Sequence, residues 1–252
     1  MKATFFKNGI EFNVRTRGET WEQGGRIAGT VSVKNTSDNP VTLGALIANL
    51  AFGTIRNVRA KNEESWNIAG TSSLCANESF KSGEEKTFSW DFPLAMDCPI
   101  TVKDSSLFIL LGDNSNPENF GHLQLNVQLS QMLKQFIESF ELFYRFTIAA
   151  MKNRKGFVEI KMLPPKTREY GFLDALNYTL RLDKDVIEIK YEASIKTIST
   201  SLGPTIFEKG KRQFAQELCS KEFQLAPGIP NPDGFKTAIG AAIAAIRPKP
   251  IL

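Results

Sequence analysis

The chain alternates apolar and polar positions with a period of two over most of its length, and shifts to a spacing of three and four in only two places. A period of two places successive side chains on opposite faces of a sheet, whereas three-and-four spacing marks one face of a helix. The sharpest alternation is at residues 86–92 (KTFSWDF), where Phe88, Trp90 and Phe92 are interleaved with Thr87, Ser89 and Asp91. Rings of this size on one face predict a strand in the middle of its sheet. Pro93 has no amide to donate and ends it, and Pro99 restarts an extended segment.

The same signal repeats along the first half. Residues 4–7 and 10–15 read as strands across Asn8-Gly9, the strongest short hairpin signal. Residues 26–34 (RIAGTVSVK) form a strand in which Gly29 marks a bulge or a close approach. Residues 41–52 are nearly all apolar and fit a buried strand better than a helix, given their Pro and Gly flanks. Residues 54–60 read as a short strand, and residues 61–79 as a long polar loop with one short strand near Trp66. Residues 107–111 (LFILL) suit a sandwich-core strand, 113–121 a loop, and 122–129 (HLQLNVQL) a clean alternation. About eight short strands between turn signals are the signature of a β-sandwich.

The first change of period is at residues 129–144, where Leu129, Leu133, Phe136, Ile137, Phe140 and Phe143 make one apolar face of a helix linking two β regions. Alternation resumes at 146–151 and 157–162 around KNRKG, and at 176–182 and 186–191 around residues 183–185; both are hairpins by spacing. Residues 193–198 continue the last strand, 199–204 form a loop, and 213–225 read as strand in preference to helix. Residues 227–234, with three prolines, make a linker. The second change of period is at 235–246, an Ala-rich helix with Asp233 as N-cap and Ile239, Ile243 and Ile246 along one side. The domains predicted are 1–130 (a β-sandwich), 131–145 (linking helix), 146–226 (a second β-sandwich) and 227–252 (linker, short helix and tail).

With 252 residues, 42% hydrophobic and 23% charged, the chain can bury real cores and is not of the disordered class. No run reaches the ~18 apolar residues of a membrane-spanning helix, and the first residues have no signal-peptide core. The net charge of +4 is too mild to argue for nucleic acid, but it is uneven: −2 over residues 1–125 and +6 over 126–252. Three widely spaced cysteines, Cys75, Cys98 and Cys219, fit free thiols in a reducing cytoplasm, with a Cys75–Cys98 bridge as the alternative.

Candidate chemistry is sparse. His122 is the single histidine, which excludes multi-histidine metal sites and leaves one conceivable catalytic base. There is no phosphate-binding glycine loop and no CxxC. Asp113-Asn114-Ser115-Asn116 with Glu118 has a calcium loop's composition without its spacing. Acidic pairs at Glu84-Glu85 and Asp183/Asp185 sit at turns, where carboxylates are normally solvated. No cofactor or metal is expected. Two basic tips stand out: Lys152, Arg154 and Lys155 in one turn, and Lys209, Lys211 and Arg212 in another. Were they to meet at one end of the second sandwich, they would form a patch for phosphate groups on a protein or an anionic lipid. Trp21 and Trp66 beside polar loops raise a rival reading, a sandwich that binds a small ligand or carbohydrate.

Several of these stretches resemble arrestin-like proteins. Gly24-Gly25-Arg26-Ile27-Ala28-Gly29-Thr30-Val31-Ser32-Val33 is similar to a recurrent glycine-and-valine strand of that family, and Thr87 to Pro99, continued by Ile100-Thr101, to its strand and proline corner. Pro164-Pro165, then Arg168-Glu169-Tyr170-Gly171 and Leu173, resemble the second domain of bacterial arrestin-like sporulation-control proteins. Thr87 stands where the family has proline, the helix at 129–144 is longer than expected, and the charged cluster of visual arrestins maps onto no residues here, so its phosphate-sensing switch is not carried over. The resemblance implies two arrestin-like (immunoglobulin-like) β-sandwiches in tandem, no catalysis, and a scaffold or adaptor that binds a protein partner. It leaves self-association open.

Overall fold

The structure is a computed structural model that describes residues 1–60, 66–199 and 206–248, with side chains described at all of these except 197–199 and 206–209. The chain divides into two compact units, Met1–Gln128 and Leu129–Leu252. The loop expected at 199–204 falls, apart from Ser199, outside the described residues, as do positions 61–65 and the end of the tail.

The first unit contains β1 (Lys2–Lys7), β2 (Ile10–Thr16), β3 (Trp21–Glu22), β4 (Arg26–Asn35), β5 (Val41–Thr54), α1 (Ile55–Arg59), β6 (Trp66–Phe80), β7 (Glu85–Pro93), β8 (Ser105–Gly112), β9 (Gly121–Gln124) and β10 (Val127–Gln128). Two four-stranded sheets, ordered β1-β2-β4-β7 and β6-β5-β8-β9, form a β-sandwich. Phe12, Val31, Trp90 and Phe92 of one sheet share a core with Leu46, Leu107, Ile109 and Leu111 of the other. Asn8 and Gly9 take positive φ between Lys7 and Ile10, as a two-residue hairpin turn requires.

Three local expectations are corrected here. The strand that carries Trp90 and Phe92 is at a sheet edge, paired only with β4 within its sheet. Its rings are buried by the opposing sheet, and burial across a sandwich does not require a neighbour on both sides. Residues 55–59 are helical, because Ile55 and Val58, three apart, pack on the outer side of β5 and β8 with Trp66 over Ala51 and Phe108. Residues 66–80 form a fifteen-residue strand at the edge of its sheet; with both faces largely wetted, it lacks an apolar stripe. Strand β8 is the opposite case, buried at all eight positions because it packs on both faces.

The second unit contains α2 (Gln131–Tyr144), β11 (Thr147–Arg154), β12 (Phe157–Leu163), a 3-10 turn (Arg168–Tyr170), β13 (Leu173–Asp183), β14 (Val186–Ser199), β15 (Ile206–Cys219), α3 (Ser220–Phe223), β16 (Gln224–Ala226), β17 (Ile229–Pro230) and α4 (Pro232–Ile246). Strands β11 to β15 form one antiparallel sheet in chain order. Its inner face, with Ile160, Tyr178, Leu180, Ile189 and Tyr191, is fully buried. The layer over that face is helical. Phe136 and Phe140 of α2 meet Tyr178, and Phe235 of α4 meets Phe136. The helix expected to link two domains is therefore part of the second unit's core. Helix α4 begins earlier than expected, and its N-cap is Asn231, whose Oδ1 accepts from the Gly234 amide at 3.2 Å, and not Asp233. Residues 220–223 are a helical turn that interrupts the strand expected across 213–225.

Candidate functional site

The face of the five-stranded sheet turned away from α2 and α4 is open. Alternation fixes which residues it presents: Phe157, Glu159 and Lys161 from β12; Asn177, Thr179 and Arg181 from β13; Glu188, Lys190 and Glu192 from β14; and Gln213, Ala215 and Glu217 from β15. Register places Thr179 beside Lys190, and Lys190 beside Ala215. Two short side chains among long ones leave a concavity of about 710 Å³, bordered by Arg154, Phe157, Glu159, Lys190, Glu192 and Gln213.

The charges on this face are ordered in pairs. Arg154 Nη1 lies 2.8 Å from Glu159, Arg181 Nη2 2.6 Å from Glu188, and Lys211 Nζ 2.9 Å from Glu192. The Lys211 ammonium, with the Gln213 amide, holds the Glu192 carboxyl below its ordinary value. Among the described side chains of this face, Phe157 is the one aromatic ring. The Arg181 guanidinium lies 4.6 Å from its centroid and the Lys190 ammonium 5.6 Å, so two cations approach the ring. Such a surface offers paired cations and carboxylates, amides and a hydroxyl around a shallow depression. That suits recognition of a polar, extended surface; nothing in it supplies a nucleophile paired with a base.

The backbones of the two basic tips lie at different levels of the sheet, although Arg154 and Lys211 both act on the Glu192 carboxyl. Arg154 pairs with Phe157 at the β11–β12 turn, level with Arg181 and Glu188. Lys211 pairs with Ser194 and Lys209 with Lys196, towards the other end of β14. Six residues of strand separate the levels of Glu188 and Ser194, or about 20 Å at ~3.4 Å per residue. The second group is itself divided. Lys211 is on the open face, whereas Arg212 is on the helix-covered side and donates to the Arg247 carbonyl at 2.8 Å, at the end of α4. The Lys209 side chain lies outside the described residues. Lys152, Arg154 and Lys155 are exposed at one end of the sheet.

The other candidates have structural explanations. The His122 ring nitrogen is hydrogen-bonded to Glu118, whose other oxygen accepts from the Trp66 indole at 2.8 Å. Trp66 and Phe108 lie 5.7 and 5.6 Å from the His122 ring, so this cluster pins the 113–121 loop on the sheet. Trp21 is buried in the sandwich core and Trp66 is packed edge-on against Phe108, so neither lines a concave sugar site. Asp113 accepts from the Ser115 and Asn116 amides, the Ser115 hydroxyl and the Asn119 amide. These bonds, the hydroxyl first, hold its carboxyl down to about 2 and engage the oxygens a calcium ion would need. Cys75, Cys98 and Cys219 are free thiols, and burial, with Asp97 adding, pushes Cys98 up to about 12.

Phe157, Thr179, Lys190 and Gln213 were not singled out by sequence. The available signal was an aromatic residue, Phe157, at a polar position of an alternating strand. The concavity itself depends on the cross-strand register of Thr179, Lys190 and Ala215, which no single strand reveals.

No family model matches the sequence, and no curated protein matches it. Among solved structures, the chain is similar to Spo0M, the sporulation control protein from Bacillus subtilis, with a TM-score of 0.65 and 17% identity over 94% of this chain and 99% of that one. The likeness is one of fold: the chain shares the Spo0M architecture, rich in β structure in both units, with a β-sandwich in the first and a helix-covered sheet in the second. Matches to the alkylpurine DNA glycosylase AlkC from Pseudomonas fluorescens (TM-score 0.30, 14% identity, 48% of this chain and 30% of that one) and to the C-terminal domain of wzt (0.30, 11%, 50% and 78%) are too distant to carry an argument.

Proposed function

We propose that this chain is a non-enzymatic scaffold or adaptor that binds a protein partner on the open face of the β11–β15 sheet. The observation that carries this reading is the asymmetry of that sheet. One face is sealed under α2 and α4, while the other keeps ordered ion pairs, a cation-flanked Phe157 and a depression centred on Thr179 and Ala215. A merely solvated face has no need of small residues at its centre, and protein contacts favour aromatic and Arg anchors among polar groups. The arrestin-like fold supports a regulatory scaffold. The free thiols support a reducing compartment, the cytoplasm, and among the described residues no helix is long and apolar enough to cross a membrane.

The test is affinity capture from the host's lysate on the immobilised chain and on a Thr179→Arg, Ala215→Arg variant that fills the depression. A partner retained by the first and lost from the second, with both melting alike, is the expected result. A partner retained equally by both overturns the placement, and turnover of any substrate overturns the non-enzymatic reading.

A further inference from the structure

The depression on the open face is electrically unbalanced. Four cations, Arg154, Lys155, Lys190 and Lys211, stand around it against two carboxylates, Glu159 and Glu192. Both carboxylates are engaged. Glu159 is held by Arg154 at 2.8 Å, and Glu192 is held by Lys211 at 2.9 Å and accepts from the Gln213 amide at 3.4 Å. Lys155 and Lys190 are exposed and, among the described residues, have no carboxylate within ion-pair distance.

Of these two lysines, Lys190 has the more specific setting. It lies on β14 in the body of the sheet, and its cross-strand neighbours, Thr179 and Ala215, are both short. Its ammonium is 5.6 Å from the Phe157 centroid, and a ring attracts a cation without neutralising it. The Thr179 hydroxyl and the Asn177 amide belong to the same depression, so an oxygen acceptor seated beside Lys190 would have neutral donors at hand as well as the charge.

We propose that the depression receives a carboxylate-bearing segment of the protein partner, with one carboxylate on Lys190 and another on Lys155. This rests on the reading above and names the partner's chemistry. Each lysine gains a carboxylate while every existing pair is kept, whereas a basic segment would have to displace Arg154 or Lys211 from its glutamate. The excess of positive charge also selects against a second copy of this chain that presents the same face. A dense row of phosphates, on a lipid surface or a nucleic acid, would meet Glu159 and Glu192 along with the lysines; separate carboxylates can be placed on the lysines alone.

The test uses the full chain and a fluorescein-labelled Glu-Ser-Gly-Glu-Ser-Gly-Glu peptide, with a control peptide in which Gln replaces every Glu. Fluorescence anisotropy gives affinity, and methyl and lysine side-chain chemical shifts give location. Expected are saturable binding of the acidic peptide with shifts at Thr179, Lys190 and Ala215, and a roughly fivefold weakening in Lys155→Gln, Lys190→Gln, which removes two exposed ion pairs. A Lys221→Gln, Lys236→Gln chain, which loses the same charge from α3 and α4, should bind as the native chain does. No saturable binding, equal binding of the Gln peptide, equal weakening in the two variants, or shifts confined to residues outside β11–β15 would each overturn the proposal. So would displacement by inorganic phosphate beyond that by chloride at equal ionic strength, which would make the depression a phosphate site. A lysate partner lost from the Thr179→Arg, Ala215→Arg chain but held undiminished by Lys155→Gln, Lys190→Gln would overturn this inference and leave the adaptor reading standing.

Discussion

Single residues decide much of this fold, and two glycines show how. A side chain on Gly29 would overlap the Trp90 indole and the Arg15 carbonyl, so the absence of a Cβ is what lets Trp90 lie flat across β4. The sequence allowed a bulge or a close approach there, and the unbroken register of β4 with both neighbours shows the second. Gly29→Ala should cost about 1–3 kcal/mol as an overpacked site, read as a lower urea midpoint; an unchanged midpoint would contradict the packing described. Gly240 plays a similar part in α4. A Cβ there would stand 2.8 Å from the Tyr144 hydroxyl, which donates to the Lys236 carbonyl at 2.7 Å.

Asp113 gives a pH prediction at the same scale. Its carboxyl is held at about 2, first by the Ser115 hydroxyl, against about 3.9 in an unfolded chain. A depressed value means the contribution is present above pH ~4 and is lost as pH falls through ~2. The stability gap between the native chain and Asp113→Asn should therefore narrow over that window in urea titrations, and a gap that stays constant would count against it. The oxygen-rich composition of this loop was legible in the sequence. That its carboxylate closes the loop on itself was not, because the bonds run to amides whose positions only the fold sets.

At the scale of elements, periodicity located most strands and both long helices, and it failed where a strand has two wet faces or a helix is short. Strand β6 has no apolar stripe, so apart from a short strand near Trp66 its residues read as loop; α1 is too short to show its period. The role of α2 and α4 was also beyond reach, since spacing shows that a helix has an apolar face without saying what covers it. Their faces meet at Phe136 and Phe235, whose ring centroids are 5.5 Å apart. Phe235→Ala should cost about 3–5 kcal/mol, measured by urea unfolding; a loss below 1 kcal/mol would mean that α4 is not part of the core.

At the scale of the molecule, each unit has its own apolar core, Trp90 and Ile109 in the first, Phe140 and Tyr178 in the second. Calorimetry should resolve two transitions, only one of which shifts in Phe235→Ala; a single transition that shifts as a whole would show the units to be one cooperative body. The positive balance of the second half was visible in the sequence, and with it two basic tips. Their separation along β14 was not, because it follows from the pairing order of five strands. The face between them is the surface on which the functional reading rests. Its most direct test is a chemical-shift map of the chain titrated with the partner recovered by affinity capture, observing the Thr179 and Ala215 methyl groups at the centre of the depression. Shifts concentrated there and at Phe157, Lys190 and Gln213 are predicted; shifts confined to Met1–Gln128, with both methyls unmoved, would contradict the assignment of this face.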